Sequence, residues 1–346
     1  MKIISIGILA HNESDSIAAL IGDMGRETIF RNEDISFSIH IVANGCKDDT
    51  GDVASKALEA PAFQLPNIRG RVHELPQAGK ANAWNKFIHS FADQNSDFVF
   101  LVDADIRLLG DTTLSLMLDS LMASPDALIA VDEPVKDVAL KAKKSLMDRL
   151  ILSFSRTTHD FRSALAGSLY CARFETVRNI WIPTGIIGED GFLRAMILTS
   201  NFTEQETTSR LIFVEGARHS FETRRNLRDM WHHQVRLAIG TGLNVLLFAH
   251  LREQLKRMGS IELYIKTRNE DDPRWLNSLI VEEMRKERYL VMDRGFVGRR
   301  LRFFRLLPLA SKFVKFPVYI LATALDVIVF LAANRVMRKG AAVGFW

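Results

Sequence analysis

Cysteine is nearly absent from this chain of 346 residues; there are two, Cys46 and Cys171. They supply neither a disulfide framework nor a zinc spacing, and both are expected as thiols in a reducing compartment. Internal repeats and low-complexity stretches are also missing, which excludes a solenoid or a propeller. The start, Met1-Lys2-Ile3-Ile4, runs straight into a strand-like segment with no leader pattern, so the body is expected on the cytosolic side. A basic excess is lacking from that body. The formal net charge is +4, from 45 Lys and Arg against 41 Asp and Glu. Nine of those cations and a single acid, Asp326, fall between Arg299 and Trp346, which leaves 36 basic against 40 acidic residues before them. This distribution speaks against nucleic acid as a partner and makes the tail a candidate for an anionic membrane surface.

What is present is globular: 47% hydrophobic and 25% charged residues, enough for a large α/β domain with an appendage. Strands are expected at 2–9, 36–43, 70–75 and 97–102, the last a short apolar run bounded by polar residues. Helical patterns at 13–24, 49–58 and 80–91 lie between them, the first with Asn12 as N-cap. Such alternation predicts parallel strands with right-handed crossovers, a doubly wound and mostly parallel sheet. The second half is more helical. Helices are expected at 140–157, 192–198, 227–251 and 282–293, with strands at 163–171 and 210–214. The division expected is a catalytic domain over 1–255 and a helical, basic region over 256–346. Asn269-Glu270-Asp271-Asp272-Pro273 is the best linker candidate.

Asp103-Ala104-Asp105 closes the fourth strand. Two carboxylates at the C-terminal end of a buried strand face the crevice where open α/β sheets bind ligands. Spaced one residue apart, they can aim oxygens at one hard divalent ion such as Mg²⁺ or Mn²⁺, which often takes its remaining ligands from phosphates. Other residues allow two readings each. Lys80 suits a ribose or phosphate, and equally a solvated helix start. Asn44 and Asp48 suit a nucleotide base, and equally ordinary turn chemistry. Glu189-Asp190 suits a catalytic acid pair, and equally an acidic first turn favoured by the helix dipole.

Taken in order, these segments resemble the family 2 glycosyltransferases, from about Ile3 to Gly240. Ile8-Leu9-Ala10-His11-Asn12-Glu13 is similar to the family's opening strand and turn. Asn44-Gly45-Cys46-Lys47-Asp48-Asp49-Thr50 is similar to its nucleotide-base loop, and Gly79-Lys80-Ala81-Asn82-Ala83-Trp84-Asn85 to its Gly-Lys-x-x-Ala-x-Asn segment. Asp103-Ala104-Asp105 matches the metal motif and Gly188-Glu189-Asp190 the Glu-Asp motif. His233-Gln234-Val235-Arg236-Leu237 falls where many members have Gln-x-x-Arg-Trp. The resemblance implies a GT-A fold and an inverting, metal-dependent transfer from a UDP- or GDP-sugar. Asp190 would be the base, with Glu189 beside it. Asp105 and Asp103 would hold Mn²⁺ or Mg²⁺, with His219 as third ligand. Ala10, Asn12, Glu13, Asn44, Asp48, Lys80, Asp103 and Arg236 would bind the donor. The absent tryptophan, replaced by Leu237, argues against processive synthesis on a long glycan. A nucleotidyltransferase is disfavoured because Ala10-His11-Asn12-Glu13 stands where a Gly-rich basic loop is expected. A degenerate sugar-nucleotide-binding protein is disfavoured because both carboxylate sets are present.

The run 316–333 would extend about 27 Å as a helix, slightly short of a ~30 Å hydrocarbon core. Asp326 sits near its centre and both flanks are basic. An interfacial helix at the cytoplasmic face of a membrane fits better than a span, and with it a lipid-linked or membrane-borne acceptor.

Overall fold

The computed structural model describes residues 1–155, 162–286 and 295–338. The strands are β1 (Lys2–Ala10), β2 (Ile35–Asn44), β3 (Ile68–Leu75), β4 (Phe98–Asp103), β5 (Ile106–Leu108), β6 (Ile129–Lys136), β7 (Leu169–Arg173) and β8 (Leu211–Phe221). They form one sheet in the order β3-β2-β1-β4-β7-β6-β8-β5. The helices are α1 (Ile17–Met24), α2 (Thr50–Leu58), α3 (Lys80–Lys86), α4 (Thr113–Ala123), α5 (Asp137–Leu140), α6 (Leu146–Ser155), α7 (Phe174–Val177) and α8 (Glu189–Leu198). After β8 come α9 (Leu227–Met258), α10 (Ile261–Asp271), α11 (Trp275–Lys286), α12 (Gly295–Leu306) and α13 (Leu309–Arg338).

The α/β class holds, while the sheet is more mixed than the alternation implies. β1 to β4 pair in parallel, as does β6 with β8; β7 runs antiparallel to both β4 and β6, and β5 antiparallel to β8. β1 shows why the sheet is covered on both sides. Ile4, Ile6 and Ile8 alternate into one core, where Phe98, Phe100 and Val102 of β4 meet them. Ser5 and Gly7 face the other way. A Cβ on Gly7 would lie 2.6 Å from the Phe87 ring, so only glycine lets that phenylalanine seat on the strand. Phe87 opens a π-helical turn, Phe87–Phe91, that carries the helical segment from Lys80 to residue 91 as expected.

Other boundaries moved for physical reasons. Asn12 is no N-cap: it takes a left-handed φ of 56°, and α1 begins after Ser16. The expected strand 163–171 is displaced to β7, because its first residues form the loop around Gly167 that lines the cleft. The helix expected over 140–157 is α6, with Arg156 and Thr157 outside the described residues; of the helix over 282–293, α11 covers the start and the remainder lies outside them. The division at 255 falls within α9. Ile265, Trp275, Ile280, Phe296, Phe330 and Met337 of the later helices share one apolar core with Val99 and Leu101 of β4.

Candidate active site

The C-terminal ends of β1, β2 and β4 meet the N-termini of α3 and α8, and that meeting makes the cleft. Asn44 ends β2 and is buried. Its Nδ2 donates to the Ala10 carbonyl at 2.8 Å and its Oδ1 accepts from the Gly79 amide at 2.8 Å. It therefore ties β1 to the start of α3 and places Lys80. Asp48 accepts from the Ser14 amide at 3.1 Å and from the Thr50 amide at 3.2 Å. Although slight burial opposes it, hydrogen bonding by Thr50 and Ser14 pulls its pKa down to about 2. Asn12 accepts from the Lys47 amide at 2.7 Å, and Glu13 from the Ser16 hydroxyl at 2.6 Å. Glu13 lies above its ordinary pKa, chiefly through burial. These residues build the loop wall. Ala10 itself is buried and offers its carbonyl to Asn44.

Lys80 is the centre of the site. Its ammonium lies 2.7 Å from Asp103 Oδ2 and 3.3 Å from Glu189 Oε1, and it donates to the Gly167 carbonyl at 3.1 Å. Burial disfavours its charge, but Asp103 and Glu189 outweigh that and hold its pKa above the ordinary value. Asp103 moves the other way: burial, with Asp105 nearby, raises it to about 6 against the pull of Lys80. Asp190 is also raised to about 6, first by burial and then by Glu189. Its Oδ1 accepts from the Gly191 amide at 2.7 Å in the first turn of α8. Gly188 precedes that turn at φ 85°, and its carbonyl accepts from Asn244 of α9 at 3.0 Å, which fixes the helix start.

A cavity of about 570 Å³ has Lys80, Asp103, Asp105, Glu189 and Asp190 in its wall, together with Lys136 and Ser168. Two motifs 84 to 87 positions apart in sequence are thereby joined through one lysine. Asp105 is exposed, and it also lines a second cavity of about 370 Å³ with Lys136 and Phe221. The pair Asp103 and Asp105 suits a hard divalent cation. Both donors are carboxylate oxygens, the hard ligands that such an ion prefers. Among the described residues no group of three ligating side chains is set for a metal ion, so the remaining ligands would be substrate oxygens and water.

His219 is not offered to that pair. It is fully buried, with Nδ1 2.7 Å from Asp132 Oδ2 and Nε2 2.9 Å from the Ser168 hydroxyl. Both ring nitrogens therefore have protein partners in the structure. Asp132 gave no sequence signal, because Asp132-Glu133-Pro134 reads as a loop while β6 carries it into the core. Arg236 is exposed and lines neither cavity, so the structure does not bring it to the donor side; His233, Gln234 and Leu237 of the same turn line the second cavity. Lys136 was missed as well. Burial, aided by Arg224, holds its ammonium below the ordinary lysine range.

Residues 5–175 match the model of glycosyl transferase family 2. No curated protein matches the chain in sequence. Among solved structures, a mannosyltransferase from Pyrobaculum calidifontis, in complex with GDP-Man and Mn²⁺, is 16% identical with a TM-score of 0.55, over 97% of this chain and 86% of that one. TarS 1–349 of S. aureus, in complex with UDP, is 14% identical over 98% of this chain and 92% of its own, with a TM-score of 0.46. Glucosyl-3-phosphoglycerate synthase from Mycobacterium tuberculosis, with Mg²⁺ and UDP, is 15% identical over 75% and 80%, with a TM-score of 0.42. The first shares the fold; the overlap of the other two is too loose to say more.

Proposed function

This chain belongs to glycosyl transferase family 2 and has its GT-A fold, and we propose that it moves a sugar from a UDP- or GDP-sugar to an acceptor hydroxyl, with inversion at the anomeric carbon. The observation that carries this reading is Lys80, which holds the Asp103 carboxylate and the Glu189-Asp190 turn against one cavity. Asp190 takes the proton of the acceptor hydroxyl. With a pKa near 6 it is ionised at neutral pH yet basic enough to accept that proton. The oxygen then attacks the anomeric carbon from the face opposite the diphosphate, which inverts the configuration. Glu189 keeps Lys80 charged and so helps orient Asp103. Asp105 and Asp103 would hold Mn²⁺ or Mg²⁺, which supplies positive charge against that building on the departing diphosphate. The loop tied by Asn12, Asn44 and Asp48 shapes the nucleotide's place. The Pyrobaculum protein of like fold, bound to GDP-Man and Mn²⁺, supports the donor class and the metal.

The chain works, on this reading, at the cytoplasmic face of a membrane on a lipid-linked or membrane-borne acceptor. The exposed apolar residues of α13, among them Phe313, Phe316, Ile320, Leu321 and Leu331, support that site of action. The test is a thermal-shift panel of nucleotides and sugar nucleotides with and without Mn²⁺, paired with release of free sugar. A UDP- or GDP-sugar should raise the melting temperature in a metal-dependent way, because a ligand of the folded state stabilises it by mass action. Stabilisation by nucleoside triphosphates alone would point to nucleotidyl transfer instead.

A further inference from the structure

The second cavity leads away from the catalytic residues toward the C-terminal helices. It begins at Asp105, Lys136 and Phe221, shared with the first cavity, and ends at Arg300 of α12 and Leu325 of α13. Between them its wall carries Arg224, Met230 and Leu237. Its wall therefore carries both cationic and apolar side chains. Arg225 pairs with Asp137 at 2.8 Å, whereas Arg224 has no ion-pair partner among the described residues. Arg299 and Arg300 both bond the buried Asp326, so two guanidiniums converge on one carboxylate beside the cavity. Lys136 adds a half-buried ammonium that no acid in the cavity wall contacts. The opposing acids in that wall are Asp105, assigned to the metal, and the exposed Glu222.

At α13 the cavity wall adjoins an outer surface. Leu325 lies between Leu321 and Ile328 at helical spacing, and those two are 62% and 55% exposed. The inner face of α13 is spent: Tyr319, Ala322, Asp326, Val329 and Ala333 are buried. The outer stripe is thus apolar and uncovered, larger in extent than scattered surface leucines. Lys315, Arg335 and Arg338 at its ends are exposed, as an anionic bilayer surface would require.

We propose that the second cavity is the acceptor site and that its occupant is a membrane lipid with an anionic phosphate head carrying a free hydroxyl. This rests on the transferase reading above and names the substrate class for it. The phosphate sits by Arg224, Lys136 and the Arg300 cluster. The acyl chains remain along Met230, Leu237 and Leu325 and on the outer stripe. The head hydroxyl reaches the shared end of the two cavities. From there it enters the first cavity, where its proton goes to Asp190, its oxygen bonds the anomeric carbon, and the bond from that carbon to the diphosphate breaks, its electron pair leaving on the nucleoside diphosphate.

Calorimetry with the full chain and dihexanoylphosphatidylglycerol, a soluble lipid with the required head, tests the site without knowledge of the donor. Binding is expected. Dihexanoylglycerol, which lacks the phosphate, and inorganic phosphate, which lacks the chains, should each bind at least tenfold more weakly. Arg224→Glu and Leu237→Trp should each weaken the lipid at least tenfold; both positions are exposed, so the fold tolerates them. Equal binding of either fragment, or of the lipid by both variants, overturns the proposal. Mn²⁺-dependent sugar release from UDP-glucose and GDP-mannose, on the same preparation, separates the two levels. Sugar release without lipid binding overturns the acceptor site and spares the transferase. Lipid binding without release from either donor overturns the catalytic role.

Discussion

Asp190 and Asp103 show how burial sets chemistry at single residues. Both carboxyls sit near pKa 6, and both owe it first to burial. Asp190→Asn keeps the shape and removes the proton acceptor, so transfer should fall by roughly a hundredfold or more while donor binding persists. Binding and rate measured on one preparation check this; equal loss for Glu189→Gln with Asp190→Asn active would reverse the roles. The pH dependence follows with its sign. The base works ionised, so kcat/KM should rise with pH through about 6 and level off above it. A carboxyl whose folded pKa exceeds its unfolded one favours the protonated fold. Asp103 therefore contributes a cost that builds between about pH 4 and pH 6 and is in place at neutrality. A cation on Asp103 relieves that cost, and protons compete with it. The rise in melting temperature given by Mn²⁺ should accordingly be full at pH 7.5 and much smaller at pH 5. At this scale the sequence singled out Lys80, Asp103, Asp105, Glu189 and Asp190, and the structure brings all five to one cavity. The Asp132 partner of His219 was not legible, because it comes from a strand whose polar sequence hides its burial.

Among the elements, β1, β2, β3 and β4 were legible to within about two residues; β1, β2 and β4 are rich in apolar residues, while β3, Ile68–Leu75, is largely polar and was placed by the strand–helix alternation. β6 and α4 were missed, and with them the antiparallel turn of the sheet around β7. β6 carries Asp132-Glu133-Pro134, and its pairing with β8 breaks register between Val131 and Glu133, so it shows no clean alternation. The tail helix was found but its acid was read as an obstacle to insertion. The structure makes it a clamp. Arg299 and Arg300 reach Asp326 at 2.9 and 2.8 Å, joining α12 to α13. Removing one partner of a buried cluster strands the other charges, so Asp326→Ala should destabilise by roughly 3 kcal/mol, the lower end of the usual range because Arg299 is partly hydrated. Urea unfolding measures it. A change within about 0.5 kcal/mol would mean that apolar packing alone holds the hairpin.

For the whole molecule, the separation of a basic tail from an acidic body was legible in the charge count, while the attachment of that tail was not. The later helices share the core that contains β4, so the catalytic cleft and the outer stripe of α13 belong to one packed unit. Length and composition let both α9 and the segment Lys315–Arg338 cross a bilayer. The buried Asp326 cluster and the inner contacts of α13 favour lying on the surface, with only the outer stripe in lipid. Cutting the tail away would open the core and confuse folding with binding. Substitution on the stripe avoids that difficulty. Phe316→Glu with Leu321→Glu and Leu331→Glu changes three exposed side chains and none of the buried ones. The native chain should float with anionic vesicles and less so at high salt, since cationic anchors are screened as the Debye length shortens. The triple variant should stay in the dense fraction at low salt while unfolding at nearly the native urea concentration. Flotation equal to the native chain would place the membrane contact elsewhere, and loss of flotation with a collapsed urea midpoint would show that the stripe is held against protein.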